Sequence, residues 1–140
     1  MVDGQKTLID AAIAEGVKRY MCSDWSLDFR GLEMGDHPSK DPMKIVQAYL
    51  EEKEKETGGE IKGVHVLIGA FMEVLWAMLV REEAGGFKYW GSGDDKLEST
   101  TMADAARYTA EVAADDNLVG FLNCKSSPTN SVAIFRVWDF

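Results

Sequence analysis

Lys44 falls in the first turn of a segment opened by Asp41-Pro42, a capping carboxylate followed by a proline at the first helical position. A lysine there meets the positive end of the helix dipole, which disfavours its ammonium form and suits it to passing protons near neutral pH. A solvated surface lysine is the plain alternative. Further along the same helix, Tyr49-Leu-Glu-Glu-Lys53 has the spacing that puts a phenol and an ammonium on one face, where the lysine would lower the tyrosine pKa. Tyr49, however, shares an apolar stripe with Met43, Val46 and Leu50, while Lys53 belongs to the glutamate-rich end. That pattern assigns the tyrosine to the core.

Two short stretches stand where ligands of open α/β sheets bind, past the carboxyl ends of strands. Ser23, Asp24 and Trp25 follow the β-prone run Val17–Cys22, and Gly69-Ala70-Phe71 follows the apolar run Ile61–Ile68. Small residues at 69 and 70 would let the backbone approach a flat ring, against which Phe71 could pack. The plain alternatives are a serine and an aspartate satisfying the start of a loop, and a core aromatic at a helix start. His37 and His65 have no second histidine or carboxylate at ligand spacing, so no metal is expected, and His65 reads as a hydrogen-bonded interior residue. Asp104, three residues after Thr101, reads as part of a helix cap. Met43, Met72, Met78, Trp76 and Trp90 fall at helical or strand spacing and read as packing.

The elements that must carry these residues follow from periodicity. An amphipathic helix is expected over about Gln5–Glu15, with Asp3 as its cap and Gly16 as its stop. A long connection containing Gly31, Gly35 and Pro38 then leads to the Asp41 helix, which ends at Gly58-Gly59. A loop of that length in a small domain is expected to cover a site. The strand Ile61–Ile68 is apolar almost throughout, as when both faces of a parallel sheet are covered. An apolar helix over Met72–Arg81 precedes Phe87–Trp90 and Lys96–Thr100, which read as a hairpin or as two short extended pieces around Gly91–Asp95. A helix from Thr101 and a last strand at Leu118–Leu122 complete the order. Helices alternating with strands make the class α/β with a parallel sheet flanked by helices.

Composition limits the functions open to such a fold. The 140 residues carry a net charge of −9, which opposes binding to nucleic-acid phosphates or anionic lipid. The apolar run Val64–Val80 is broken by His65, Gly69 and Glu73 and is too short to cross a bilayer, and the N-terminus lacks a secretory pattern. Two cysteines, Cys22 and Cys124, make neither a disulfide framework nor a thiolate metal site, and a reducing cytoplasm is the expected compartment.

Four blocks, taken together, resemble NmrA-like and isoflavone-reductase-like proteins, a group of atypical short-chain dehydrogenases. These are QKTLIDAAIAEGVKRYMCSDW from Gln5, DPMKIVQAYLEE, IKGVHVLIGAFMEVL, and WGSGDDKLESTTMADAARYTAEVAADD, collinear over about Gln5–Asn123. The resemblance implies a partial Rossmann-like, doubly wound sheet, with residues 1–123 as the later portion of an NAD(P)-binding domain and 124–140 as a divergent tail. It implies Lys44 as the proton-handling residue, with Lys40 in that role if the register shifts. It places Ser23 and Asp24 near the nicotinamide ribose or substrate, and Gly69, Ala70 and Phe71 beside the nicotinamide of NADP or NAD. The implied activity is an NAD(P)H-dependent reduction of a small aromatic or phenolic substrate. A non-catalytic, dinucleotide-responsive regulator is the alternative the same family offers.

The departures from that pattern also carry expectations. The family's opening strand and glycine-rich phosphate turn have no counterpart here, and Gly91-Ser-Gly93 has Lys96 where a third glycine belongs. The resemblance is therefore to a shortened member, in which catalysis is expected to be weak or absent. A sheet edge left open in this way would be available to a second copy or another protein.

Overall fold

The structure, a computed structural model, describes residues 2–81, 86–87 and 98–124. The expected turn at Gly91–Asp95 and all of the tail except Cys124 lie outside those residues. A three-stranded parallel sheet forms the centre, in the order β1 (Arg19–Met21), β2 (Lys62–Leu67), β7 (Gly120–Asn123). Arg19 lies opposite Lys62 on one side of β2, and Val64 opposite Gly120 on the other. The central strand is apolar because both its faces are covered. On one side, α1 (Val2–Ala14) and α2 (Asp41–Glu56) bring Ile9, Val46 and Leu50 against Cys22 and Ile61. On the other, α4 (Met102–Ala114) packs Ala105 and Val112 on Val64, Val66 and Ile68.

The alternation along β2 decides where His65 goes. With Val64, Val66 and Ile68 facing α4, the odd-numbered residues face α2, and Gly63 makes room there for Leu50. Beyond β2 the chain crosses into a second, smaller pairing in which β3 (Ala70–Phe71) runs parallel to β6 (Ser99–Thr100). The short helix α3 (Met72–Leu79) follows, and β4 (Val80–Arg81) pairs antiparallel with β5 (Gly86–Phe87). The pieces around 87 and 99 thus pair with different strands. Of the two expected forms, the separate extended segments are the ones found in the described residues.

Helix ends explain most boundaries. Thr101 caps α4: its hydroxyl accepts from the Asp104 N–H at 3.0 Å and donates to the Asp104 carboxylate, as its spacing led us to expect. Glu73 of α3 adds a carboxylate to the same end by accepting from Met102 N at 3.0 Å. Replacing Thr101 by alanine should cost about 1 kcal/mol, measurable as a lower urea midpoint with unchanged slope. Two caps differ from expectation. Asp3 lies inside α1, and Asp41 is the first residue of α2, where its carboxylate accepts from Gly35 N at 3.0 Å rather than from the helix. The residue in the cap position of α2 is Lys40. No helix among the described residues is long and apolar enough to cross a membrane.

Candidate functional site

The loop from Cys22 to Lys40 runs across the carboxyl end of the sheet and is held there at three points. Phe29 is fully buried with its ring edge-on to Phe121, centroids 6.0 Å apart. Ser26 bridges to Leu67 and accepts the Ile68 N–H at 3.0 Å. The Trp25 indole donates to Thr109 Oγ1 at 2.9 Å, pinning the loop to α4. Trp25 carries a φ of 34°, the left-handed region that a non-glycine residue enters at a cost of about 1–2 kcal/mol, offset here by that hydrogen bond and by burial.

Anchored in this way, the loop faces β3 across a cleft of about 220 Å³. Trp25 and Phe71 form its apolar walls, Ala70 leaves the space between them, and Lys40 supplies the polar wall, donating from Nζ to Ser26 Oγ at 2.5 Å. Partial burial holds the Lys40 ammonium below the ordinary lysine pKa, and the negative charge of Asp24 opposes that shift. A cleft this size takes one ring-sized group, being smaller than the roughly 300–1,000 Å³ of whole-ligand sites. Trp25 and Phe71 also border a wider apolar groove of about 580 Å³ along α4, floored by Ala105, Ala106, Ala110 and Ala113.

The expected site residues meet here only in part. Ala70 and Phe71 line the cleft. Gly69 also borders it, but its missing side chain is needed on the other side, because a Cβ there would lie 2.3 Å from the Glu98 carbonyl oxygen. The open approach to a ring expected of Gly69 is therefore taken up by backbone packing. Lys44 stands elsewhere. Its Nζ reaches toward the Phe29 carbonyl at 3.4 Å, beside a separate hollow lined by Lys6, Met34 and Tyr49. Four residues of α-helix move a side chain about 6 Å along the axis, and Lys40, in the cap position, stays at the sheet edge. Tyr49 is only partly buried, and its hydroxyl donates to Asp10 at 2.6 Å, so it sits at the α1–α2 seam.

Ser23 is exposed at the loop start, where its backbone N–H donates to Gln5 Oε1 at 3.0 Å; it does not border the cleft. Asp24 does not line the cleft. Its side chain is 1% exposed, and Oδ2 sits 2.7 Å from His65 Nδ1. His65 is thus the hydrogen-bonded interior residue expected, but the statement that it lacks a carboxylate neighbour is corrected by the tertiary structure. Its ring stacks on Phe121 at 4.3 Å. The Cys22 sulfur, Asp24 and His65 place donor atoms within 4.8 Å of one another. Burial and the charge of Asp24 push the Cys22 thiol far above its ordinary pKa, which keeps it protonated, and the carboxylate and imidazole are committed to each other. Lys40, Ser26 and His65 are the members of this site whose spacing along the chain gives no sign of convergence; a loop that doubles back over the sheet brings them together.

No family model and no curated protein sequence matches the chain. Among solved structures it is similar to AtPrR2 with NADP+ and (+)pinoresinol, with a TM-score of 0.62 and 19% identity over 87% of this chain. The chain spans 40% of the length of that neighbour. At this identity the likeness shows the fold, a Rossmann-like α/β arrangement with parallel strands flanked by helices.

Proposed function

We propose that this chain carries the nicotinamide-and-substrate side of an NAD(P)H-dependent reductase, acting on a small aromatic or phenolic compound, with Lys40 rather than Lys44 as the proton-handling residue. The observation that carries this reading is the convergence of Trp25, Lys40, Ala70 and Phe71 on one ring-sized cleft at the carboxyl ends of β1 and β2. The fold shared with a protein solved with NADP+ supports it. When bound, a reduced nicotinamide supplies hydride. The chain's own residues do the rest: Phe71 and Trp25 offer apolar faces to a flat ring, Ala70 leaves it room, and the alanine groove along α4 takes the apolar body of a substrate. Lys40 holds a proton at Nζ, and its half-buried setting brings release closer to neutral pH than for a solvated lysine.

The residues fit the ring end of a dinucleotide. The sequence has no G-x-G-x-x-G run of the kind that cradles its phosphates. A single ring held this way is worth roughly 4 kcal/mol, so NADPH and nicotinamide mononucleotide should bind this chain alike, with dissociation constants on the order of 1 mM. Titration followed by nucleotide fluorescence and by Trp25 emission tests this. With a panel of small aromatic carbonyl and enone substrates, Lys40→Met should lower turnover by about 100-fold or more, and Lys44→Met by less than about threefold. A severe loss in Lys44→Met with Lys40→Met silent would reverse the assignment. Absence of any nicotinamide binding would remove the reading, and binding without turnover on any substrate would favour the dinucleotide-responsive regulator.

A further inference from the structure

The hollow beside Lys44, of about 510 Å³, shares no lining residue with the cleft. Its long wall is one stripe of α2, in which Lys44, Ala48 and Glu52 follow one another four residues apart, as do Ile45 and Tyr49. Lys6 of α1 and Met34 of the long loop complete the lining. At this volume it holds a whole small molecule, where the cleft takes one ring. Its surface is largely apolar: Met34 and Ile45 leave 57% and 38% of their area exposed, beside the partly buried Tyr49 ring.

Two cations border this apolar surface. Lys6 Nζ lies 4.9 Å from the centroid of the Tyr49 ring, and Lys44 Nζ lies 3.4 Å from the Phe29 carbonyl oxygen. Both lysines are half-buried, and among the described residues neither ammonium has an ion-pair partner. This is so although acidic groups outnumber basic ones by 24 to 15 in the chain, and although Lys53 and Lys62 nearby are paired with Glu56 and Glu54. A partly desolvated ammonium without a counter-ion is stabilised by an anion that a ligand brings. The acidic groups of the two helices limit which anion fits. Asp10 is engaged by the Tyr49 hydroxyl and Glu51 by Gln47, but Glu52 borders the hollow itself. Two ammonium groups against one carboxylate leave a single positive charge to be met, so a monoanion is favoured and a dianion is opposed.

We propose that this hollow is a second binding site, for a small monocarboxylate with an apolar body. The carboxylate is held by the Lys6 and Lys44 ammonium groups, and the body lies on Met34, Ile45 and the Tyr49 ring. Lys44 then binds a ligand of its own rather than serving the cleft. The site needs no nucleotide and stands apart from the reductase reading.

The test is titration of the full chain with 2-naphthoate, followed by NMR of ¹³C-methyl methionine. The Met34 methyl, assigned by its loss in Met34→Leu, reports this hollow, and the Met78 methyl, assigned in the same way, reports the cleft. Naphthoate should shift Met34 with a dissociation constant on the order of 1 mM. The uncharged 2-naphthamide should bind there about fivefold more weakly, and Lys6→Gln and Lys44→Gln should each weaken naphthoate by about threefold and together by about tenfold. Glu52→Gln should tighten naphthoate by about twofold and 2-naphthyl phosphate by more, a gain that a merely apolar surface would not give. A Met34 methyl unmoved at about 10 mM naphthoate, ten times the expected constant, overturns the proposal. Equal affinity for naphthoate and naphthamide overturns it too, as does unchanged naphthoate affinity in the folded double lysine variant. If that variant does not fold, Glu52→Gln decides, and naphthoate binding that is unchanged or weaker in it overturns the proposal. A shift of Met78 alone puts naphthoate in the cleft, which overturns this site and leaves the reductase reading standing.

Discussion

Gly69→Ala is expected to cost the protein about 3–5 kcal/mol, a large share of the roughly 5–15 kcal/mol that holds a domain of this size together. Gly69 adopts a φ of 72°, where a Cβ is unfavourable by about 1–2 kcal/mol, and the added atom would lie 2.3 Å from the Glu98 carbonyl oxygen and 2.6 Å from its carbon. That carbonyl cannot simply retreat, because it accepts the Ala70 N–H at 2.9 Å in the β3–β6 pairing. Relieving the clash therefore breaks the strand pairing that presents Ala70 and Phe71 to the cleft. Urea unfolding followed by circular dichroism should show a markedly lower midpoint, and NADPH titration of whatever remains folded should show loss of nicotinamide binding. Gly31, whose Cβ would meet nothing within 4 Å and whose φ is not positive, is the control that should tolerate alanine with little change. Equal stability of Gly69→Ala and Gly31→Ala would show that the 69–98 contact is not fixed in solution.

The second large effect is expected at Arg19→Met, a loss of about 2–4 kcal/mol. Arg19 opens β1, and its guanidinium crosses to the far end of α4, donating to the carbonyls of Val112 at 3.1 Å, Ala113 at 2.9 Å, Asp115 at 2.6 Å and Leu118 at 3.1 Å. The last carbonyls of a helix lack partners within it, and a cation there also complements the helix dipole. One planar side chain thus closes the end of α4 and ties it to the sheet. Methionine keeps much of the apolar stem but leaves two part-buried carbonyls without a donor, at about 1–2 kcal/mol each. Arg19→Lys should recover only part of the loss, because a single ammonium cannot span four acceptors. Asp116, which also meets Arg19 at 3.2 Å, is 97% exposed, and Asp116→Asn should leave the unfolding midpoint unchanged. A midpoint for Arg19→Met equal to that of Asp116→Asn would contradict this account.

Both residues show how unevenly the sequence speaks. Arg19 could be read as a strand residue from Val17–Cys22, but nothing at that position points to a helix terminus more than ninety residues away. Gly69 could be read as a small residue after a strand, and its location at the cleft edge followed from that. The use of its smallness did not, because Glu98 meets it only when β6 folds back on β3. The placing of the two lysines follows the same logic. A helix start with a proline and two lysines nearby was legible, but which lysine reaches the sheet edge depends on where the helix begins in space. Lys40 sits in the cap position and Lys44 a turn beyond it.

What the sequence by itself determined is the class and the order of the four helices and the three strands of the central sheet, because these rest on local physics; the short strands at Ala70–Phe71 and Val80–Arg81 were not legible there. The near-continuous apolar run of β2 requires cover on both faces, the threonine-aspartate spacing at 101–104 closes a helix start, and proline at 42 begins one. Only the tertiary structure decided which side chains share a site. Asp24 and His65 are 41 residues apart and come within 2.7 Å because a loop, pinned by Phe29 and Trp25, lays one over the strand that bears the other. Contacts of that kind depend on long-range closure of the chain, and periodicity, which senses only neighbours along a helix or strand, carries no trace of them.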